Sequence, residues 1–291
     1  MTDSTPAQSK QSALTLKRPE PPRNLTSLKA RFRDLASSEL AVTRLERAVA
    51  NVALAQLLPA GAVKGGTALK LRLGHSRSRF TPDLDVARRA TMDEFLVEYG
   101  AALAKGWAGF TGKLVPVRPA KPVGVPPEYV IQPYDIKVSY QGRSWLTVRL
   151  EVGHDEIGDT DHPEMHLAQD LAEVFAQLGL SDPAPIPVLP VDHQIAQKLH
   201  ACSAPGNERA HDLVDLQLLL TEQVDLAAVR VTCKRLFASR RAHAWPPVVT
   251  AGPTWATVYA NAADGIDCAL TVEEAVEWTN GLIQRIAAAR E

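Results

Sequence analysis

The sequence has few cysteines, and they form no metal-binding or disulfide pattern. Its 291 residues include Cys202, Cys233 and Cys268, an odd number with no CxxC pair. Small disulfide-stapled folds and zinc ribbons depend on closely spaced pairs of cysteines, so neither is expected. Three isolated cysteines are typical of a protein that works in a reducing cytoplasm.

A long hydrophobic run is also missing. No segment approaches the roughly 18 apolar residues of a membrane span, and the polar amino-terminal stretch has no signal-peptide core. Hydrophobic residues make up 45% of the chain and charged residues 22%, which excludes wholesale disorder. We therefore expect a cytoplasmic globular protein with no membrane partner.

The chain has no excess of one charge, but its charges are unevenly distributed. The 32 Lys and Arg nearly balance the 33 Asp and Glu, which by itself argues against nucleic-acid binding through bulk positive charge. Residues 64–149 nevertheless hold 14 basic and 7 acidic residues, whereas residues 151–186 hold nine carboxylates and no Lys or Arg. Ordinary solvated faces would explain this polarity, and so would a site for an anionic substrate and a metal ion.

Hydrophobic periodicity and turn residues predict an α+β first part and a helical second part. A flexible tail is expected over residues 1–24, a core domain over residues 25–185, and a helical domain over residues 186–291. In the core domain, a helical pattern runs from Leu25 to Leu58, and strands are predicted over residues 107–152.

Shorter signals place further elements. A helix is expected from Gly66 to Gly74, and a capping box at Thr91 opens another that ends before Gly106. The pattern predicts a Pro-rich loop over residues 119–127, a helix over residues 166–178, a Pro-broken connector over residues 183–190, and a solvated acidic loop between Glu151 and His166.

A pair of carboxylates lies on a short predicted strand. Alternate residues of a strand share a face, so Asp83 and Asp85 project together while Leu84 and Val86 enter the core. Adjacent carboxylates repel each other unless a divalent cation lies between them, and Mg²⁺ (or Mn²⁺) binds few carboxylates plus substrate phosphates. Glu151 is a candidate third ligand if its strand turns the polar face toward this pair; a solvated outer face is the alternative.

A glycine turn precedes this strand. In the run Lys64-Gly65-Gly66-Thr67, two glycines at a helix start allow backbone N–H groups to approach a phosphate, and Lys64 and Thr67 offer a charge and a hydroxyl. The stretch is not a Walker A loop, because no Gly-Lys-Ser/Thr follows at the required spacing. A plain turn is the alternative interpretation.

A lysine and an aspartate are predicted to meet further along the chain. Helical spacing places Lys198 and Asp212 on the flanks of the apolar stripes of two successive helices, whereas Asp215 falls further toward solvent. The two side chains are therefore expected to face each other at a helix–helix seam. This pair is either a structural salt bridge or a cation for a triphosphate that an aspartate holds in place.

Taken in order, these motifs resemble the AbiEii/AbiGii-type nucleotidyltransferase toxins, including the mycobacterial MenT-like members. The resemblance covers roughly residues 60–220, and each motif is weak by itself. The matching segments are Lys64-Gly65-Gly66-Thr67, Arg79-Phe80-Thr81-Pro82-Asp83-Leu84-Asp85, Lys198-Leu199 and Arg209-Ala210-His211-Asp212-Leu213-Val214-Asp215-Leu216.

The resemblance implies a polymerase-β-like nucleotidyltransferase core with a small mixed sheet, followed by an α-helical carboxy-terminal domain. It implies a toxin, restrained by a cognate antitoxin protein, that moves an NMP from an NTP to the 3′ end of tRNA and so blocks translation. By position, Asp83, Asp85, Lys198 and Asp212 would be catalytic, with Asp215 an alternative to Asp212. Metal ligands would be Asp83, Asp85 and, as a looser match, Glu151; the nucleotide-binding set is Lys64, Gly65, Gly66, Thr67, Arg79 and Thr81.

Two other functions remain open at this point. The same site would suit nucleotidylation or phosphorylation of a protein hydroxyl, or the chain would be a catalytically silent nucleotide- or RNA-binding module. For contacts to phosphates, the expected residues are Arg72, Arg77, Arg79, Arg88 and Arg89.

Overall fold

One sheet organises the first part of the molecule. The computed structural model describes residues 19–117 and 132–290, and the predicted Pro-rich loop over residues 119–127 lies outside them. The strands within these ranges are β1 (Gly61–Lys64), β2 (Leu84–Arg88), β3 (Phe110–Pro116), β4 (Gln132–Tyr140), β5 (Arg143–His154), β6 (Glu164–His166) and β7 (Ile186–Val188). Their order across the sheet is β3-β4-β5-β2-β1-β7-β6; β2 runs parallel to β5 and β1 to β7, and the other neighbours are antiparallel.

Helices pack against the sheet and build the second part of the molecule. Those that the structure describes are α1 (Leu25–Leu35), α2 (Glu39–Ala55), α3 (Gly65–Leu73), α4 (Met92–Lys105), α5 (Gln169–Gln177), α6 (Val191–Ser203), α7 (His211–Leu219), α8 (Leu226–Arg240), α9 (Trp255–Ala263) and α10 (Val272–Ala288). Within residues 19–117 and 132–290, none is both long and apolar enough to cross a membrane.

Two hydrophobic cores meet at α3. The first core joins the sheet to α1, α2, α4 and α5, and the second joins α6 to α10. Helix α3 contributes Ala68 and Leu71 to the first core and Leu69 and Leu73 to the second. Because both sides of this helix are anchored by burial of apolar surface, the glycine turn at its amino end is held where the two parts meet.

Several predicted elements are confirmed. Helix α3 ends at Gly74, and α4 has the Thr91 capping box and ends at Gly106. Strands β4 and β5 form a hairpin, with Gln141 and Gly142 both at positive φ as a tight two-residue turn requires. The predicted α+β fold class, with a mixed sheet followed by helices, is also confirmed.

Other predictions are wrong in detail. The helical pattern from Leu25 to Leu58 is interrupted after α1, and Ser38 caps the new helix α2 by accepting a hydrogen bond from the Ala41 amide. His166 lies in strand β6 rather than at the start of a helix. The connector over residues 183–190 contains strand β7, which was missed because three residues are too few to show periodicity.

The two ends of the predicted core domain are packed against the sheet. Residues 1–18 of the predicted tail lie outside the described ranges, while the backbone oxygen of Pro22 accepts a hydrogen bond of 2.8 Å from the Tyr140 hydroxyl. At the other end, β7 joins the sheet just beyond the expected boundary at residue 185, through Val63 and Val188 of parallel β1 and β7. The division into domains stays a prediction.

Candidate active site

Strand register brings three of the predicted site residues into one row. Antiparallel pairing of β1 with β2 places Lys64 opposite Asp85, and parallel pairing of β2 with β5 places Glu151 on the other side of Asp85. Paired residues of neighbouring strands project from the same face of a sheet, so these side chains form a carboxylate row with a lysine at one end. Asp83 lies just before β2 rather than within it.

Ionisation of the carboxylates in this row is unfavourable when no cation is present. Burial raises the pKa of Asp85 to about 6; Lys64 opposes the increase, while Glu151 and Asp83 add to it. Burial also raises the pKa of Asp83, against the influence of Arg149 and other nearby arginines. A bound divalent cation would offset the repulsion between these carboxylates.

The chemistry of the donor set therefore fits a hard divalent cation, because carboxylate oxygens are its preferred protein ligands. Asp83 and Asp85, with Glu151 beside them, would supply only part of the coordination shell of such a cation. Among residues 19–117 and 132–290, no three His, Cys, Asp or Glu side chains are grouped closely enough to hold a metal ion as they stand. Substrate phosphate oxygens would have to supply further ligands.

The glycine turn approaches the carboxylate row very closely. Gly65 has φ +64°, and a Cβ atom built on it would lie 2.0 Å from Oδ2 of Asp85. Only glycine satisfies both the backbone conformation and this space. A Cβ on Gly66 would lie 2.9 Å from Thr81, so this second glycine lets the loop before Asp83 pack on α3.

The first turn of α3 also has backbone N–H groups that no side chain caps. Lys64 occupies the N-cap position and makes no side-chain capping hydrogen bond. The first N–H groups of a helix have no partner within it, and the helix dipole makes this end positive. The turn therefore offers donors to an anion next to Asp85.

Thr67 has a different position from the one expected for a phosphate ligand. Its side chain is 1% exposed, and its hydroxyl donates a 2.7 Å hydrogen bond to the backbone oxygen of Asp83. Asn51 of α2 donates to the same backbone oxygen and to the Thr67 hydroxyl, both at 3.2 Å. These two residues fix the backbone that leads into the carboxylate strand. Asn51 belongs to no motif of the sequence, and its one signal is that it is a lone amide inside an apolar helix.

The predicted meeting of Lys198 and Asp212 is confirmed as a contact. Nζ of Lys198 lies 3.1 Å from Oδ1 of Asp212 and 2.6 Å from Oδ2 of Asp215. The expectation that Asp215 turns toward solvent is wrong, because its side chain is fully buried. Helix α7 is enclosed on more sides than its apolar stripe indicated, since α3, α6, α9 and α10 all pack against it.

Two arginines, one of them half exposed, add to these buried contacts. Arg79 donates to Asp215 from Nε at 2.8 Å and from Nη2 at 2.9 Å, and Nε of Arg209 donates to Asp212 at 2.8 Å. Three cations thus share two carboxylates. We call this set, Arg79, Lys198, Arg209, Asp212 and Asp215, the ion network.

Charge within the ion network is strongly stabilised. Burial opposes the charged form of Lys198, but Asp215 and Asp212 outweigh it and raise the pKa of this lysine. Burial likewise opposes ionisation of Asp215, yet Lys198 and Arg79 hold its pKa well below the usual range. The network therefore carries one excess positive charge at neutral pH; Lys198, Asp212 and Asp215 are buried, whereas the Arg209 side chain is half exposed and screened by water.

The ion network lies within electrostatic range of the carboxylate row. Asp212 chiefly raises the pKa of Arg209, and Asp85 adds to that effect. In turn, Lys198 is among the groups that lower the pKa of Asp85, although burial dominates there. A fixed positive cluster and an acidic row separated by a short distance suit a substrate that bridges a cation and a phosphate chain.

Each of the arginines expected to contact phosphates has a partner within the protein, although Arg77 and Arg89 are exposed. Arg72 is 6% exposed and lies 2.6 Å from Glu164, so its assignment as a phosphate contact is wrong. The remaining partners are Thr221 for Arg77, Asp215 for Arg79, the backbone oxygen of Ala90 for Arg88, and Asp161 for Arg89.

The acidic stretch after β5 is packed rather than solvated. Asp159 is 1% exposed and accepts hydrogen bonds from the Glu156 amide at 3.0 Å and from Nε2 of Gln197 at 2.9 Å. Burial and a hydrogen bond with Asp155 raise the pKa of Asp159 to about 8, so this carboxyl pair shares a proton at neutral pH. Glu156 pairs with Arg240, 2.5 Å away. The prediction of a solvated loop is wrong for these residues.

Comparison with known proteins identifies a matching family and solved structures with a similar fold. The family model described as the nucleotidyl transferase AbiEii toxin of a Type IV TA system matches residues 45–277. Among solved structures, the chain is similar to MenT4, a nucleotidyltransferase toxin from Mycobacterium tuberculosis H37Rv, with 17% identity, coverage of 90% of this chain and 97% of that one, and a TM-score of 0.50. JHP933 from Helicobacter pylori is 17% identical over 86% of this chain and 93% of its own, with a TM-score of 0.45. No curated protein matches the sequence.

Proposed function

This chain belongs to the AbiEii nucleotidyltransferase toxin family, and from that premise we propose that it is a metal-dependent enzyme that moves an NMP from an NTP to the 3′ end of tRNA. The proposal rests on the proximity of two groups of charged residues, the carboxylate row and the ion network. Asp83, Asp85 and Glu151 stand on one side of the glycine turn, and the ion network stands within electrostatic range of them. Nucleotidyl transfer needs both, because it moves negative charge along a triphosphate.

The reaction is a displacement at the α-phosphorus of the NTP. The terminal ribose hydroxyl of the acceptor forms a bond to this phosphorus, the bond to the bridging oxygen breaks, and pyrophosphate leaves with that oxygen; the hydroxyl proton passes to solvent. Asp83, Asp85 and Glu151 would hold Mg²⁺ or Mn²⁺. When bound, such an ion neutralises phosphate charge and lowers the pKa of the attacking hydroxyl.

The remaining residues orient the nucleotide and balance its charge. Backbone N–H groups of Gly65 and Gly66 bind phosphate oxygens at the positive end of α3, with Lys64 as a nearby cation. Thr67 and Thr81 act by holding the loop that carries Asp83. Lys198, kept in place by Asp212 and Asp215, supplies positive charge for the leaving pyrophosphate together with Arg79. Because these groups are already fixed, little reorganisation is needed during the reaction.

The proposal extends to the cellular setting. Modification of the tRNA acceptor end blocks aminoacylation and hence translation in the cytoplasm, and a cognate antitoxin protein restrains the enzyme. The supporting observation is the description of the matching family as a toxin of a Type IV system. Expression of the chain by itself should arrest growth, and co-expression of the adjacent antitoxin gene should relieve the arrest. Growth unaffected by the chain would contradict the toxin assignment.

Incubation of the pure protein with each α-labelled NTP, Mg²⁺ and total RNA tests the reaction. Label on tRNA that disappears with EDTA is the expected result. Label on protein instead would identify a protein hydroxyl as the acceptor. No label from any NTP would indicate a catalytically silent binding module and would overturn the proposal.

A further inference from the structure

Helix α8 and the segment that follows it are rich in basic residues. Between Leu226 and Ala263 the chain contains five basic residues and no Asp or Glu. Lys234, Arg235 and Arg241 are exposed, on α8 and at its carboxy-terminal cap. Arg240 of this run is paired with Glu156, so Lys234, Arg235 and Arg241 are the exposed cations that give this surface a positive potential.

An open groove with an aromatic wall lies on this surface. It has a volume of about 290 Å³ and is lined by Lys234, Phe237, Ala238, Ala244 and Trp245. The Trp245 ring is partly exposed and stands edge-on to Phe237, with ring centroids 5.3 Å apart and planes at 70°. An aromatic ring held in this way is a ready surface for stacking, because little side-chain freedom remains to be lost on binding.

The aromatic wall is braced from behind. The Phe237 ring also contacts His243, at 5.0 Å, and His200 of α6, at 4.8 Å. His200 lies two residues beyond Lys198 on the same helix. The groove itself is lined by α8 and the segment after it, and through Phe237 it packs against the helix that supplies the lysine of the ion network.

The basic helix is also tied to the strand that carries Glu151. Arg240 forms an ion pair with Glu156, and Nη2 of Arg235 donates a hydrogen bond of 2.6 Å to the backbone oxygen of Ile157. Both partners lie in the loop that follows β5. These contacts connect the helix that lines the groove to the strand that carries Glu151.

From these observations we propose that the groove binds an unpaired segment of RNA, with a base stacked on Trp245 and its phosphates beside Lys234 and Arg241. A groove that combines a partly exposed aromatic ring with a lysine in its lining and a further exposed arginine on the same helix end resembles the sites that bind single-stranded nucleic acids. An acidic peptide would satisfy the cations but would leave the aromatic wall without a role. The inference rests on the proposed function in one respect, namely that the acceptor is RNA.

Fluorescence anisotropy with labelled tRNA and with a short labelled single-stranded RNA, without NTP, tests the proposal. Trp245→Ala should weaken binding of the single strand by roughly tenfold or more, because a stacked base is lost. The double variant Lys234→Glu/Arg241→Glu should weaken it further and reduce the dependence of binding on salt, because about two phosphate contacts are lost. Arg285→Glu, a single charge reversal at an exposed position of α10, should bind like the wild type.

The two variants fail in different ways if the proposal is wrong. Lys234 and Arg241 are exposed, so their replacement leaves the core intact even if Trp245→Ala unfolds, which circular dichroism will detect. Wild-type affinity of the double variant for RNA would overturn the proposal. A second result would also overturn it: polyglutamate competes with RNA in a way that depends on Lys234 and Arg241, while Trp245→Ala leaves RNA affinity unchanged. That combination would identify a site for an acidic peptide.

Binding and transfer are separable in this design. If the variants lose RNA binding while no NTP labels RNA, the groove stands and the proposed reaction falls. If RNA is labelled but the variants bind it normally, the reaction stands and the groove is wrong.

Discussion

Arg79 and Asp215 form a two-point ion pair across 136 residues of sequence, with distances of 2.8 and 2.9 Å. Arg79 lies in the loop that leads to Asp83, and Asp215 lies in α7, within the helical part of the molecule. Lys198 binds the same carboxylate at 2.6 Å. The pair therefore fastens the strand with the candidate metal ligands to the helices with the candidate phosphate-binding lysine.

Asp215→Asn should destabilise the protein at neutral pH by roughly 3–5 kcal/mol, because it leaves Lys198 buried with one carboxylate fewer. Urea unfolding at pH 7 measures this loss. The folded-state pKa of Asp215 is depressed, so its contribution is present above the unfolded value of about 4 and is lost as pH falls below it. The deficit of the variant should accordingly shrink under acid.

Asp93→Asn is the matched control, since Asp93 is exposed in the first turn of α4. It should change stability by no more than about 0.5 kcal/mol. Equal unfolding midpoints for Asp215→Asn and Asp93→Asn at pH 7 would show that the ion network does not join the two parts.

Asp159→Asn should make the protein less sensitive to pH between about 5 and 8. Burial raises the folded-state pKa of Asp159 to about 8, so the folded protein holds a proton that the unfolded chain releases near pH 4. Stability from this group is complete below the unfolded pKa and is lost as pH rises toward 8. Asn resembles the protonated acid and removes that slope.

Thermal unfolding of both proteins across this pH range checks the sign. The variant should gain stability relative to the wild type as pH increases. Parallel curves for the two proteins, or a relative loss by the variant at high pH, would contradict a shared proton between Asp155 and Asp159.

Gly65→Ala should abolish nucleotidyl transfer, because the added Cβ would lie 2.0 Å from Oδ2 of Asp85 and must displace it. Gly142→Ala provides the control: Gly142 has a similar φ of +73° but no atom within 4 Å of the added Cβ. Both variants carry about 1–2 kcal/mol of backbone strain, but only the first disturbs the site. Initial rates of label transfer to RNA, compared with thermal stability, separate strain from displacement; equal rates for the two variants would refute the close approach.

The sequence was sufficient for elements with strong local signals. Helix α4 has a capping box at one end and a glycine at the other, and both act within one turn of chain. The pairing of Lys198 with Asp212 also followed from helical spacing, because both residues flank apolar stripes that must face the core.

Other features depend on contacts that local patterns do not encode. Asp215 was assigned to solvent because one helix does not reveal that neighbours enclose it on several sides. Asn51 and Thr67 meet the backbone of Asp83 only after α2, α3 and the loop have packed together. Strand β7 is three residues long, and its place beside β1 is set by the sheet rather than by its own sequence.

The carboxylate row is the centre of the proposed function, and the rate of label transfer from an α-labelled NTP to RNA by Asp85→Asn tests it most directly. With saturating Mg²⁺ and Asp93→Asn as the control, we expect Asp85→Asn to be folded and at least roughly 10²–10³-fold slower than the wild type, while the control is unaffected. A folded Asp85→Asn protein that labels RNA at the wild-type rate would contradict it.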